Sequence, residues 1–296
     1  MGPDFLCIGA EKAGSTWLYQ RMREHRQVAA TPLKELNYFN AIDLGVDTRL
    51  RGQVFGDHWI NLMWRRAFRH RFLPDMWRRD FAPLRWYLHY FFGRRSDAWY
   101  RALFEHGPGE VSGDFTPNYS ALPAAGVARV HAAVPEARIL LIMRDPIDRA
   151  WSAAKMNLSG KPGRPMETIS EAEFGTYLSG DRDRSLGDYA EMLELWSEAY
   201  GRERILTGFY DEIVADPEGL LRRVCDFLGI DWDPVLGSKA RTVVNRNTDG
   251  SPVPEFAQEL LAAKYEPALE RLVDVLGGEE ARYPQGWLDR ARRVTA

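Results

Sequence analysis

Gly9 and Gly14 bracket Lys12, and Ser15 and Thr16 follow directly, in the stretch Gly9-Ala-Glu-Lys-Ala-Gly-Ser-Thr16. Glycines so placed let a chain turn tightly enough to aim backbone N–H groups at an anion, and a helix starting there adds the positive end of its dipole. Lys12 supplies a cation, and Ser15 and Thr16 supply hydroxyl donors. The chemistry that suits this stretch is the holding of a phosphate. It departs at one place from the nucleotide-binding pattern G-x-x-x-x-G-K-[ST]. Ser15 stands where the lysine should be, and the cation comes from inside the turn. Taken alone, the stretch fits a plain strand-to-helix turn with a surface lysine equally well.

A second cluster is Arg144-Asp-Pro-Ile-Asp-Arg-Ala-Trp-Ser152, directly after the apolar run Arg138–Met143. Asp145 can cap a helix, Pro146 suits its first position, and Asp148 favours its positive end. On that helix Asp148, Ser152 and Lys155 share one face, while Ile147, Trp151 and Ala154 share another. Arg144 and Ser152 could jointly hold a second phosphate, set apart from the first. Read without the first cluster, they are an ordinary surface arginine and a solvated serine.

The elements that must position these groups follow from the apolar pattern. Phe5–Ile8 reads as a short, continuously apolar strand of the kind buried in a parallel sheet, Arg138–Met143 as a second buried strand, and Ile205–Tyr210 as another strand. Helical spacing follows each: from Thr16 to Arg23, after Pro146, and from Pro217 to Leu228 with Gly229 as the stop. A further helix runs from Leu186 through Tyr200, ended by Gly201. Alternating strands and helices predict an α/β fold, with helices on both sides of a central, mostly parallel sheet. Ligands of such folds sit at the carboxyl ends of the strands, where both clusters lie.

One region breaks the rhythm. Between Arg65 and Arg95 nine arginines face two aspartates, Asp75 and Asp80, interleaved with Trp77, Trp86, Tyr87, Tyr90, Phe91 and Phe92. We expect a single domain over 1–296 with a helical insertion at about 50–105. The insertion suits an acceptor-binding lid, a membrane-surface contact through 65–95, or a plain helical subdomain with solvated arginines.

Composition narrows the class. Of 296 residues, 45% are hydrophobic and 27% charged, as in ordinary globular proteins, and the net charge of −3 gives no reason to expect nucleic-acid binding. Cys7 and Cys225 lie in apolar segments without metal-ligand spacing and read as reduced core residues. No secretory leader opens the chain, Leu6 spoils a myristoylation signal, and no apolar run reaches membrane length. The expected setting is the cytoplasm.

Together the two clusters resemble those of the sulfotransferases that use 3′-phosphoadenosine 5′-phosphosulfate (PAPS), in its bacterial and Golgi-type branches. Lys12-Ala-Gly-Ser-Thr16 is similar to that family's K-x-G-[ST]-T loop, and Arg144–Ser152 to its R-D-P-x-x-R-x-x-S segment. The segments "GDYAEMLELWSEAY" and "ILTGFYDEIVADPEGLLRRVCDFLGI" continue the likeness. The resemblance implies a P-loop-NTPase-like three-layer fold. It implies that Lys12, Ala13, Gly14, Ser15 and Thr16 receive the 5′-phosphosulfate, and that Arg144 and Ser152 receive the 3′-phosphate. By the same likeness Trp17 packs beside the adenine and Arg246 closes a late loop over the nucleotide.

Pro32-Leu-Lys-Glu-Leu-Asn-Tyr-Phe39 resembles the K-E-x-x-[FY]-F segment whose glutamate is the base in Golgi-type and many bacterial members, which assigns that role to Glu35. Lys12 would then steady the leaving phosphate oxygen. The acceptor would be a hydroxyl, less readily an amine, of a small molecule or carbohydrate. The product would be 3′,5′-ADP, with no metal ion required. Asp114 and Tyr38 are the candidates for acceptor contact. Against the family's E-K-[ST]-P-x-Y segment, Gly113–Tyr119 sets the acidic Asp114 near the place of a second lysine. Two other readings compete: a P-loop kinase or NTPase, which lacks its lysine after Gly14, and a nucleotide-binding module without catalysis.

Overall fold

The computed structural model describes residues 2–77, 83–158, 169–178, 186–242 and 252–295. In chain order its elements begin with β1 (Phe5–Gly9), α1 (Ser15–Met22), β2 (Val28–Ala30) and α2 (Tyr38–Asp43). A helical stretch follows: α3 (Leu50–Phe55), α4 (Trp59–Ala67), a π-helical turn Phe68–Phe72, α5 (Leu73–Trp77), α6 (Leu84–Phe92) and α7 (Asp97–Ala102). Then come β3 (Val111–Phe115), α8 (Ala124–Ala133), β4 (Arg138–Met143), α9 (Pro146–Leu158), α10 (Glu171–Leu178), α11 (Tyr189–Tyr200) and β5 (Ile205–Phe209). The remaining helices are α12 (Tyr210–Ala215), α13 (Pro217–Leu228), α14 (Pro234–Lys239), α15 (Glu255–Leu276) and α16 (Arg282–Thr295).

The five strands form one parallel sheet in the order β2-β3-β1-β4-β5. Every residue of β1 is buried, as is all of β4 beyond Arg138, which requires cover on both faces. Helices supply that cover. From β1 the chain runs to one edge of the sheet, returns through β3, and crosses to the other side of β1 through β4. The loops after β1 and β4 therefore open side by side at the carboxyl ends, the place where such sheets bind ligands.

The apolar runs expected as strands are β1, β4 and the run through Phe209; Tyr210 differs by starting α12. Two strands had no such signal. β2 has three residues, and β3 reads Val-Ser-Gly-Asp-Phe. In β3, Gly113 lies opposite Phe5, and a Cβ there would come within 2.2 Å of that ring, so the pairing needs glycine. Cys7 and Cys225 are free thiols in the core.

Between β2 and β3, α4 and the π-helical turn run antiparallel to α6. Trp64, Phe68 and Phe72 all meet Phe91, with ring centroids 5.2–5.4 Å apart. Tyr87 donates to Asp75 at 3.0 Å further along the pair. Arg66, Arg69, Arg71, Arg85 and Arg94 are exposed, but two arginines are engaged. Arg65 donates to the carbonyls of Gln53, Val54 and Gly56 at the end of α3, and Arg95 stacks 4.0 Å over Trp99 and 4.8 Å over Tyr90. Arg78, Arg79 and Asp80 lie outside the described residues. No helix among the described residues is long and apolar enough to cross a membrane.

Candidate active site

The turn after β1 is held from below by Ala10 N–H donating to Ile142 of β4 at 2.6 Å. Lys12 and Gly14 both have left-handed backbones, with φ of 67° and 98°. Gly14 precedes α1 without a side-chain cap, and a Cβ on it would lie 2.4 Å from Ile213. The turn is thus tight, capless and opens on a helix N-terminus, the arrangement that leaves backbone donors for an anion. Ala13 and Ser15 are buried beneath it. The Lys12 ammonium reaches Met156 Sδ at 3.8 Å. Burial holds it below its usual range, Glu11 opposing that shift and Arg144 adding to it.

Arg144, at the end of β4, donates to the Lys12 carbonyl at 3.1 Å and lies 4.4 Å over the Tyr210 ring. Its Nε is buried with no hydrogen-bond partner among the described residues. Asp145 caps α9 through the Ile147 N–H at 2.9 Å and, with Asp148, accepts from Arg290. Ser152 lies along the same helix, 8% exposed. Trp17 is buried and donates to the Ala240 carbonyl at 3.0 Å, directly before the segment holding Arg246, which lies outside the described residues.

A cluster centred on Lys34, to which the motifs assign no role, links the two halves of the site. Lys34 Nζ donates to Ser15 Oγ at 3.1 Å, Thr16 Oγ1 at 3.0 Å and Glu35 Oε1 at 2.9 Å. It is 14% exposed at the side chain, against 32% for Glu35. Glu35 has a left-handed φ of 63°, an uncommon state for a non-glycine residue, and its backbone is fixed on both sides. Its N–H donates to Phe115 at the end of β3, and its carbonyl accepts from Asn37 Nδ2 at 2.8 Å. Asn37 is held in turn by Asn118 at 3.0 Å. The candidate base and the hydroxyls of the phosphate turn therefore share one hydrogen-bonded cation.

Two sequence expectations need correcting. Asp114 is 1% exposed, does not touch Lys12, and lies away from the cavity beside Glu35. Its carboxylate accepts from Thr116 at 2.7 Å, Tyr100 at 2.8 Å and Tyr119 at 3.0 Å. Burial pushes its pKa up to about 6, although the three hydroxyls pull the other way. Counted back from Thr116-Pro117-Asn118-Tyr119, Asp114 stands at the glutamate of E-K-[ST]-P-x-Y, and Phe115 at the lysine. Phe115 is buried edge-on against Phe5 and Tyr19, so that position holds a core ring. Tyr38 also faces inward. It is 4% exposed, stacks on Tyr100, and donates to Asp97 at 2.8 Å.

The space beside Glu35 is instead a cavity of about 50 Å³. Leu33, Glu35 and Asn37 line one side; the helical segment between β2 and β3 brings Gln53, Trp64 and Tyr90 to the other.

Comparison with known proteins adds to this geometry. The sulfotransferase family profile matches residues 3–234. Human heparan sulfate glucosamine 3-O-sulfotransferase 3B1 is 33% identical over 150 residues, covering 48% of this chain and 38% of its own length. Human heparan sulfate glucosamine 3-O-sulfotransferase 6 is 32% identical, covering 48% of this chain and 43% of its own length. The chain thus matches less than half the length of these curated relatives. Among solved structures, a sulfotransferase from Alicyclobacillus acidocaldarius superposes with TM-score 0.60 at 23% identity, covering 93% of this chain and 96% of that one. The sulfotransferase domain of the Synechococcus PCC 7002 olefin synthase superposes with TM-score 0.51 at 16% identity, covering 88% and 94%. Both show the same fold.

Proposed function

The chain belongs to the sulfotransferase family, and from that premise we propose that it moves a sulfuryl group from PAPS to a hydroxyl of a small-molecule or carbohydrate acceptor. The observation that carries this reading is the Lys34 bridge, which ties the carboxylate of Glu35 to Ser15 and Thr16 of the phosphate turn. A base and a phosphate turn held this close suit in-line transfer, in which the acceptor oxygen, the sulfur and the leaving oxygen must align.

Glu35 accepts the acceptor's proton as its oxygen bonds to sulfur, help typically worth ~10²–10⁴-fold in rate. The donor's sulfur–oxygen bond breaks toward the phosphate, and 3′,5′-ADP is the product. Lys12 and the N–H groups at the start of α1 stabilise the charge that gathers on the leaving oxygen. Lowering of the Lys12 pKa by burial suits a cation in a partly dehydrated site. The tight turn around Gly14 fits the 5′-phosphate, and Arg144 at the end of β4 is assigned to the 3′-phosphate together with Ser152 of α9. Trp17 and the Arg246 segment are assigned to the adenine side.

Calorimetric titration tests the donor assignment. We expect 3′,5′-ADP to bind and ATP·Mg to bind at least tenfold more weakly; the reverse order would favour a kinase or NTPase. Glu35→Gln should then lower transfer by roughly 10²–10⁴-fold and leave 3′,5′-ADP affinity within about twofold. Transfer that survives the substitution removes Glu35 as the base.

A further inference from the structure

Two carboxylates flank the place assigned to the 3′-phosphate. Asp145 follows Arg144 directly, and Asp148 stands one turn before Ser152 on the same face of α9. Side chains at that helical spacing are neighbours, with Cβ atoms about 5–6 Å apart. A dianion held between Arg144 and Ser152 would be repelled by both acids. Arg290 of α16 answers them. Its Nη1 donates to Asp145 at 2.7 Å and to Asp148 at 3.0 Å, so one guanidinium bridges the two carboxylates. Burial pushes the Asp145 pKa up to about 6, with Arg290 working against that shift and Asp148 adding to it. The three charges therefore act on one another.

Arg290 lies outside residues 3–234, which the sulfotransferase profile matches. Its helix is nonetheless docked on the sheet. Tyr283 and Trp287 of α16 pack on Phe209 at the end of β5, with ring centroids 5.2 and 5.8 Å away. Two other helices grip the same segment. Tyr265 of α15 accepts from Arg149 of α9 at 3.1 Å, and the Tyr189 hydroxyl of α11 donates to the Arg144 carbonyl at 2.9 Å. Of these three contacts, only that of Arg290 brings a charge.

We propose that Arg290 is a positioning residue that sets selectivity for the donor's 3′-phosphate, by holding and neutralising the two carboxylates beside that subsite. The proposal rests on the sulfotransferase reading and deepens one part of its donor site. Arg290 acts through Asp145 and Asp148 and touches no phosphate itself. With it in place the group carries one net negative charge; without it, two carboxylates face the anion. At an effective dielectric near 20, a unit charge left unbalanced about 8 Å from another weakens binding on the order of tenfold or more. A nucleotide without a 3′-phosphate places no charge there and loses little.

The test is calorimetric titration of the whole chain with 3′,5′-ADP and with 5′-AMP, which differ only in the 3′-phosphate, at a pH where both carboxylates are charged. The unaltered protein should prefer 3′,5′-ADP. Arg290→Met should weaken 3′,5′-ADP binding about tenfold and 5′-AMP binding less than about twofold. Arg290→Lys should keep part of the preference, since the positive charge remains. Adding Asp148→Asn to Arg290→Met should restore part of it, because one opposing charge is gone. An unchanged preference in Arg290→Met leaves the arginine without influence on the subsite, and equal losses for both nucleotides make it a structural contact; either result overturns the proposal alone. Failure of the unaltered protein to prefer 3′,5′-ADP overturns the donor reading and this proposal with it. Should Arg290→Met fail to fold, Asp148→Asn in the otherwise unaltered chain decides. Its preference for 3′,5′-ADP should rise severalfold, and the absence of a rise overturns the proposal.

Discussion

At the scale of single residues, Lys34 does work that its neighbour in sequence conceals. An adjacent Lys-Glu pair looks like two solvated side chains, and nothing in the spacing shows that the ammonium also reaches Ser15 and Thr16. Those contacts exist because the segment after β2 returns over the start of α1, which depends on the strand order and not on local pattern. Lys34 acts as a positioning residue for Glu35. Lys34→Met should lower kcat more than it raises acceptor KM, because the carboxylate loses the hydrogen bond that holds it beside the phosphate turn. Lys34→Arg should restore part of the rate. An unchanged kcat in Lys34→Met would reduce Lys34 to a structural contact. The motif that singled out Glu35 is local, whereas the inward direction of Tyr38 and Asp114 is a tertiary fact that no local pattern carries. Tyr38 donates to the half-exposed Asp97, and Asp114 accepts from two buried tyrosines.

At the scale of elements, β3 and the 3₁₀ turn after it (Pro117–Ala121) hold the Glu35 segment, through the Phe115 carbonyl and the Asn118 amide. Asp114 joins them, bonded to Tyr100 of α7 on one side and to Tyr119 of the turn on the other. Because burial lifts its pKa from 3.8 to about 6, the folded protein holds that proton more tightly than the unfolded chain does. Stability from the neutral acid is therefore full below about pH 4 and is lost as pH rises through about 6. At about 1.4 kcal/mol per pKa unit, the change is on the order of 3 kcal/mol. Asp114→Asn cannot ionise, though its amide accepts fewer of the three hydroxyls. Measured by thermal melts, the stability difference between Asp114→Asn and the unaltered protein should shift toward the variant from pH 4 to pH 7. A difference that stays flat would mean that Asp114 ionises in the folded protein as it does in the unfolded one. The strands themselves divide by legibility. β1 and β4 declared themselves as unbroken apolar runs, but β3 is half polar, because its glycine makes room for Phe5 and its aspartate bonds to tyrosines.

At the scale of the whole molecule, the proposed nucleotide site joins parts distant in sequence. The turn at Lys12 is bonded to Arg144, and α1 is bonded to the end of α14 through Trp17 and Arg21. A ligand that engages these parts together should stabilise the fold as a unit. At about a hundred times its dissociation constant, 3′,5′-ADP should add about 2.7 kcal/mol and raise Tm by on the order of 5 °C. ATP·Mg at the same concentration should do markedly less, and equal shifts would contradict the donor assignment.

The sheet order has a further consequence, for synthesis. β1 is the first of the five strands to be made, yet it lies at the centre of the sheet, between β3 and β4. Its first partner begins at Val111 and its second ends at Met143. Until both have emerged from the ribosome, Phe5–Gly9 is an apolar strand with two open edges, the form most prone to pair with another chain. Closing such long loops before any strand contact forms also slows folding. The nascent protein thus passes through a long interval in which this apolar strand has no strand partner of its own.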